Sequence, residues 1–118
     1  HYYPVNSVSY TGTHDNDTVL GWYNSASEEE RNFCNRYLNR TDEPISYAML
    51  RSLYGSVSKM TIATMQDLLQ LDTTARMNIP STLGGNWVWR MQEGDITPEV
   101  ESFLLEITKL YDRSNEQL

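Results

Sequence analysis

Two stretches of this sequence have the composition of β-strand, Ser7 to Thr11 and Lys59 to Met65, and most of the chain around them is patterned as helix. Val8 and Tyr10 alternate with small residues in the first. In the second, Met60 and Ile62 alternate with Thr61 and Ala63, flanked by residues small enough to pack closely on two sides. The resulting order is strand, helices, strand, helix, which is the grammar of a parallel sheet with helical crossovers. Two strands cannot bury a sheet on both faces, so this grammar reads as a piece of something larger.

The helical segments carry their own punctuation. Asn16 or Asp17 is placed to cap a brief helix through Val19 to Tyr23, and Ser27 with Glu30 three residues later forms a capping-box pattern. Behind that cap Phe33, Cys34, Tyr37 and Leu38 share one helical face, with an end expected near Arg40. Pro44 suits the first turn of a third helix, capped by Thr41 or Asp42, whose stripe is Ile45, Ala48, Met49, Ser52 and Leu53 and whose stop is Gly55. From Asp72 to Glu93 the sequence predicts mostly loop, with one helical turn at Thr73 to Met77. Thr97-Pro98 then opens a last helix with the stripe Val100, Phe103, Leu104, Ile107, Leu110 and Tyr111, and the tail from Ser114 to Leu118 is expected to fray.

Charge narrows the partners. Sixteen acidic against nine basic residues give a net charge of -7, which speaks against duplex DNA or an anionic membrane surface, because both are bound through clustered Lys and Arg. No apolar run reaches membrane-span length, and His1-Tyr2-Tyr3-Pro4 lacks the basic and apolar regions of a signal peptide. A single cysteine, Cys34, allows no internal disulfide, so a cytoplasmic location is expected. No phosphate-binding glycine motif is present, and the two histidines, His1 and His14, are joined by no metal-ligand spacing, so no cofactor and no metal are expected. Cys34 lies on an apolar stripe, where a buried inert thiol is the ordinary role.

The dipeptide His14-Asp15 follows the first strand directly. In a parallel barrel, polar side chains at the carboxyl ends of strands line the active site. An acid and an imidazole there can bind hydroxyls, position a substrate or hold a metal; equally, Asp15, Asn16 and Asp17 can form a turn and cap the next helix. Thirteen aromatic side chains, three Trp, eight Tyr and two Phe, accompany little positive charge. Aromatic faces stack on sugar rings, and neutral amides such as Asn78, Asn86 and Gln66 pair with hydroxyls, which suits carbohydrate better than a charged ligand. Tyr37, Tyr47 and Tyr111 lie on or near helix stripes and are expected in the core. Trp87 and Trp89 share parity in an extended segment, so one can pack inward while the other faces a cleft.

Taken whole, SVSYTGTHDNDTVLGWY and ATMQDLLQLDTTARMNIPSTLGGNWVWR resemble, in order and spacing, the carboxyl-terminal part of amylomaltases, the 4-alpha-glucanotransferases of glycoside hydrolase family 77. The resemblance implies an α/β fold: the last two βα units of a (β/α)8 TIM barrel, mostly helical with two short parallel strands. Residues 1–118 are then one carboxyl-terminal fragment, with 1–58 holding the seventh strand, Ser7 to Thr13, and its helices. Residues 59–118 hold the eighth strand, a sugar-side loop and a closing helix from Thr97 to Arg113.

The resemblance further implies transfer of alpha-1,4-glucan segments between maltooligosaccharides with retention of configuration. Retention needs a nucleophile and an acid/base about 5 Å apart, which in this family follow the fourth and fifth strands and are absent here. Asp15 matches the family's transition-state stabiliser, His14 a histidine that donates to a neighbouring sugar hydroxyl, and Asn78 a substrate-contacting amide. Gln66 and Asp67 are expected to tie the loop to the barrel. The fragment alone is expected to be inactive and to self-associate through uncovered barrel surfaces. Two rivals account for parts of the same pattern: a non-catalytic helical module binding carbohydrate or peptide, and a fragment of a debranching-type alpha-amylase relative.

Overall fold

In the computed structural model residues 4–114 are described; residues 1–3, His1 among them, and residues 115–118 of the tail lie outside them. The elements run β1 (Val8–Tyr10), α1 (Val19–Ser25), α2 (Glu28–Tyr37), α3 (Ile45–Tyr54), β2 (Met60–Ile62), α4 (Met65–Leu68), a 3-10 turn (Thr73–Ala75) and α5 (Pro98–Leu110). The expected order holds, and β1 pairs with β2 in parallel, Val8 opposite Met60, Ser9 opposite Thr61 and Tyr10 opposite Ile62. Both strands are shorter than the sequence predicts. Met65 does not extend β2 but opens α4, because the Thr64 hydroxyl accepts from the Asp67 amide and caps a helical turn there.

Parallel register puts Val8, Tyr10, Met60 and Ile62 on one face of the sheet, and all four are exposed. The face of Val8, Tyr10, Met60 and Ile62 is thus bare in a two-stranded sheet, as the order of elements leads one to expect, whereas the Ser9 face is covered. Ser9 is buried, and its small side chain lets the covering layer approach.

The core is built around α3. Leu50 and Tyr54 pack with Leu68 of α4 and with Val100, Phe103 and Ile107 of α5, while Ile45 joins Val19 and Cys34 in a second cluster. Tyr47 stacks on Phe103 with ring centroids 3.8 Å apart and donates to the Leu68 carbonyl. A Leu-sized side chain fully removed from water contributes about 1.5–3 kcal/mol, which makes Leu50 and Ile107, both wholly buried, the anchors of the α3–α5 contact. Arg113, just past α5, donates to the carbonyls of Tyr54, Ser56 and Ser58 and fastens the end of the chain to the turn between α3 and β2.

Two helix readings need correction. Phe33 and Tyr37 are exposed, so of the α2 stripe only Cys34 is buried: α2 rests on its neighbours by one edge. Tyr37 is accordingly not a core residue, whereas Tyr47 and Tyr111 are half-buried against the first cluster. Pro44 is the residue before α3 rather than its first turn, and no side chain caps that helix.

Candidate active site

The loop from Thr11 to Thr18 leaves the carboxyl end of β1, and a single buried carboxylate pins both of its ends. Asp67, 2% exposed, accepts from the Thr11 hydroxyl at 2.6 Å and from the Val19 amide, the first residue of α1, at 3.0 Å. Asp67 itself sits in α4, directly after β2, so the ends of the two strands are bound to each other through it. The tying role expected of Asp67 thus has its geometry; Gln66 adds a longer bond, 3.4 Å, to the Ala75 carbonyl.

Within the loop the caps differ from expectation. Asn16 turns back to accept from the Thr13 amide and hydroxyl, Asp17 accepts from the Thr18 amide, and Thr18 is the residue that caps α1, accepting from Gly21. With Asn16 and Asp17 closing the turn, Asp15 carries no capping bond.

Gly21 marks a close approach. A Cβ there would land on the Thr73 hydroxyl and 2.7 Å from the Asp17 carboxyl carbon. The missing side chain lets Thr73 donate to Asp17 at 2.9 Å and join the two loops again. Asp72 caps the turn that follows, accepting from the Thr74 hydroxyl and amide, and these bonds hold its carboxyl below the ordinary value.

That turn delivers Arg76-Met77-Asn78 to the loop after β1. The Asn78 Nδ2 donates to Asp15 Oδ1 at 2.6 Å, and the Asn78 amide donates to the His14 carbonyl at 3.1 Å. Arg76 donates through Nη2 to the Asp15 carbonyl at 2.7 Å and through Nε to the Asn78 carbonyl at 3.0 Å. His14 Nε2 lies 3.4 Å from Asp15 Oδ1, and the His14 ring rests against Trp87, centroids 4.8 Å apart. Both side chains of the pair are about half exposed. Among the described residues, Asp15 Oδ2 accepts no hydrogen bond and remains open to a ligand.

Trp87 is not in extended backbone. Its φ of 60° and the bond from its amide to the Met77 carbonyl close the loop from Asn78 to Asn86. Asn86 braces that loop from inside, accepting from the Ile79 amide and donating to the Thr82 hydroxyl. Trp87 and Trp89 both line a cleft of about 480 Å³ whose wall includes His14, Gln66, Asp67 and Arg90. A larger apolar groove, about 710 Å³, shares no residue with it and lies along α2 and α3, lined by Trp22, Phe33, Tyr37, Met49, Leu53 and Val57.

All three candidate residues, His14, Asp15 and Asn78, therefore meet at one place. Sequence reasoning missed Arg76, although it stands two residues before Asn78, and it missed the contact of Trp87 with His14. No group of three or more His, Cys, Asp and Glu close enough to hold a metal occurs among the described residues. No described helix is long and apolar enough to cross a membrane.

Known proteins match this chain closely. The glycoside hydrolase family 77 profile, described as 4-alpha-glucanotransferase, matches residues 1–97. The 4-alpha-glucanotransferase of Streptococcus pneumoniae is 59% identical over the whole chain, which covers 24% of that protein. The chloroplastic/amyloplastic 4-alpha-glucanotransferase of Oryza sativa is 44% identical over 96% of the chain and 20% of its own length. Among solved structures, amylomaltase from Streptococcus agalactiae in complex with acarbose superposes with a TM-score of 0.92 at 45% identity, covering 96% of this chain and 23% of that one. The fold is thus part of a (β/α)8 barrel, and the chain spans about a quarter of the length of the relatives it matches. Matched over most of its length by sequence and by fold, this chain belongs to the 4-alpha-glucanotransferase family, glycoside hydrolase family 77.

Proposed function

We propose that the protein carrying this segment transfers alpha-1,4-glucan units between maltooligosaccharides, and that the segment supplies its transition-state stabiliser, Asp15. One observation carries the reading: the loops after the two strands converge so that Asp15 is held on one oxygen by Asn78 and left open on the other. A carboxylate fixed in this way can accept from ring hydroxyls of the sugar at the point of cleavage. Such bonds lower the barrier if they strengthen as the ring flattens toward an oxocarbenium ion.

His14 donates to a neighbouring hydroxyl, its ring steadied against Trp87. The Asn78 amide touches both Asp15 and substrate. The nucleophile and the acid/base, which a retaining reaction needs about 5 Å apart, come from the rest of the enzyme, so the segment alone turns nothing over. Glucan is the substrate, and neither cofactor nor metal takes part. The reading also holds that the enzyme works in the cytoplasm and binds neither nucleic acid nor membrane. Residues 1–58 and 59–118 act as the two terminal βα units, and the isolated segment associates through the bare face of Val8, Tyr10, Met60 and Ile62.

The S. pneumoniae relative offers a direct test. Its enzyme, carrying this segment in place of its own matching quarter, should convert maltotriose into longer and shorter oligosaccharides at a rate near that of the parent. A folded chimera without turnover would contradict the reading.

A further inference from the structure

We propose that Arg76 is a positioning residue of the reaction: its guanidinium bridges the backbone carbonyls of Asp15 and Asn78 and so sets where the Asp15 carboxylate stands. The inference rests on the stabiliser role given to Asp15 above and goes beyond it by naming what holds that residue in place.

Asp15 sits in an exposed loop, where a backbone left to itself drifts. The two ends of the loop are fixed by Asp67 through Thr11 and Val19, but Asp15 lies several residues from either anchor. Nearer at hand, its backbone is held from the loop after β2. Asn78 donates its amide to the His14 carbonyl at 3.1 Å, and Arg76 donates Nη2 to the next carbonyl, that of Asp15, at 2.7 Å. The same guanidinium turns its Nε to the Asn78 carbonyl at 3.0 Å. One planar fork thus fixes the backbone of the stabiliser and the backbone of the amide that orients its carboxylate. Arg is suited to this and Lys is not, because the guanidinium presents donors at fixed angles whereas an ammonium is a point donor on a flexible stem. Among the described residues, Arg76 makes no hydrogen bond or ion pair to the Asp15 side chain, so it acts on that side chain through the main chain. Because bond-making geometry tolerates little error, a displacement of about 1 Å at such a residue costs on the order of 10²-fold in rate.

The experiment compares Arg76→Ala, Arg76→Lys and Asp15→Asn in the full-length enzyme, with kcat, KM for maltotriose and Tm measured for each, and kcat measured again with added guanidinium ion at millimolar concentration. Arg76→Ala is expected to lower kcat by about 10²-fold with KM and Tm little changed. Guanidinium should restore part of the loss, and Arg76→Lys should stay low. A kcat near the parent's in Arg76→Ala, full activity in Arg76→Lys, or a loss that follows Tm and resists rescue would each overturn the inference. Those outcomes leave the role of Asp15 standing if Asp15→Asn is itself severely impaired. Near-normal turnover in Asp15→Asn overturns the stabiliser reading, and the inference with it.

Discussion

The side-chain Nδ2 of Asn78 stands 2.6 Å from Asp15 Oδ1, across 63 residues of sequence, so the loop after one strand orients the carboxylate at the end of the other. A charge-assisted bond of this length contributes about 1.5–3 kcal/mol. In the full-length enzyme Asn78→Ala should lower kcat for maltotriose disproportionation, and Asn78→Asp should lower it further. The second variant sets two carboxylates against each other at hydrogen-bond distance, where like charges repel. Steady-state kinetics on the two variants checks the order; equal rates in both would remove the orienting role of Asn78.

Asp67 is the other fixed point. Replacing it by Ala takes a buried acceptor from the Val19 amide and from the Thr11 hydroxyl at once. The buried Val19 amide left unpaired costs about 1–3 kcal/mol, and the partly buried Thr11 hydroxyl, which water can reach, costs less. Asp67→Ala in the full-length enzyme should therefore unfold at visibly lower temperature, read by calorimetry, whereas Asp67→Asn, which keeps one acceptor oxygen, should lose less.

At Gly21 the prediction is steric. An added methyl meets the Thr73 hydroxyl and the Asp17 carboxylate, and the hydrogen bond between those two must give way. Overpacking of this kind costs about 1–3 kcal/mol. Gly21→Ala should destabilise by that order in denaturant titration, while Gly84→Ala, where a Cβ meets nothing within 4 Å, should show only the strain of its positive φ.

How much of this was legible in the sequence follows from how local each feature is. The Ser27–Glu30 pair and the Thr97-Pro98 cap were readable because both partners lie within one turn, and the bonds from the Glu30 and Val100 amides to those hydroxyls are present. His14-Asp15 was readable because a strand end is itself a local signal. Phe33 and Tyr37 lie exposed although they sit on the stripe, because a helical stripe records periodicity, while burial depends on what lies opposite. Arg76 lies within the stretch that carries the family resemblance, but no local pattern marks its role: its partners are main-chain carbonyls, one of them 61 residues away. Trp87 departs from the extended backbone that its sequence predicts because nothing in its side chain announces a φ of 60°.

Burial pushes the Cys34 thiol above its ordinary pKa, with nearby Arg40 opposing the shift more weakly. A raised thiol stays protonated at neutral pH, and the thiolate forms only as pH climbs beyond the value of a free cysteine. Alkylation by iodoacetamide at about pH 7.5 should run slower than for free cysteine. Rapid labelling of the folded enzyme would show that Cys34 is open to solvent.

The central claim concerns Asp15, and its most direct measurement is the turnover of Asp15→Asn in the full-length enzyme with maltotriose. The amide keeps the size and one acceptor of the carboxylate but not its charge, so the fold should persist, seen as an unchanged circular dichroism spectrum. Loss of several kcal/mol of transition-state stabilisation predicts a fall in kcat of about 10³-fold or more. A variant that folds normally and turns over maltotriose at near the parent rate would contradict the account.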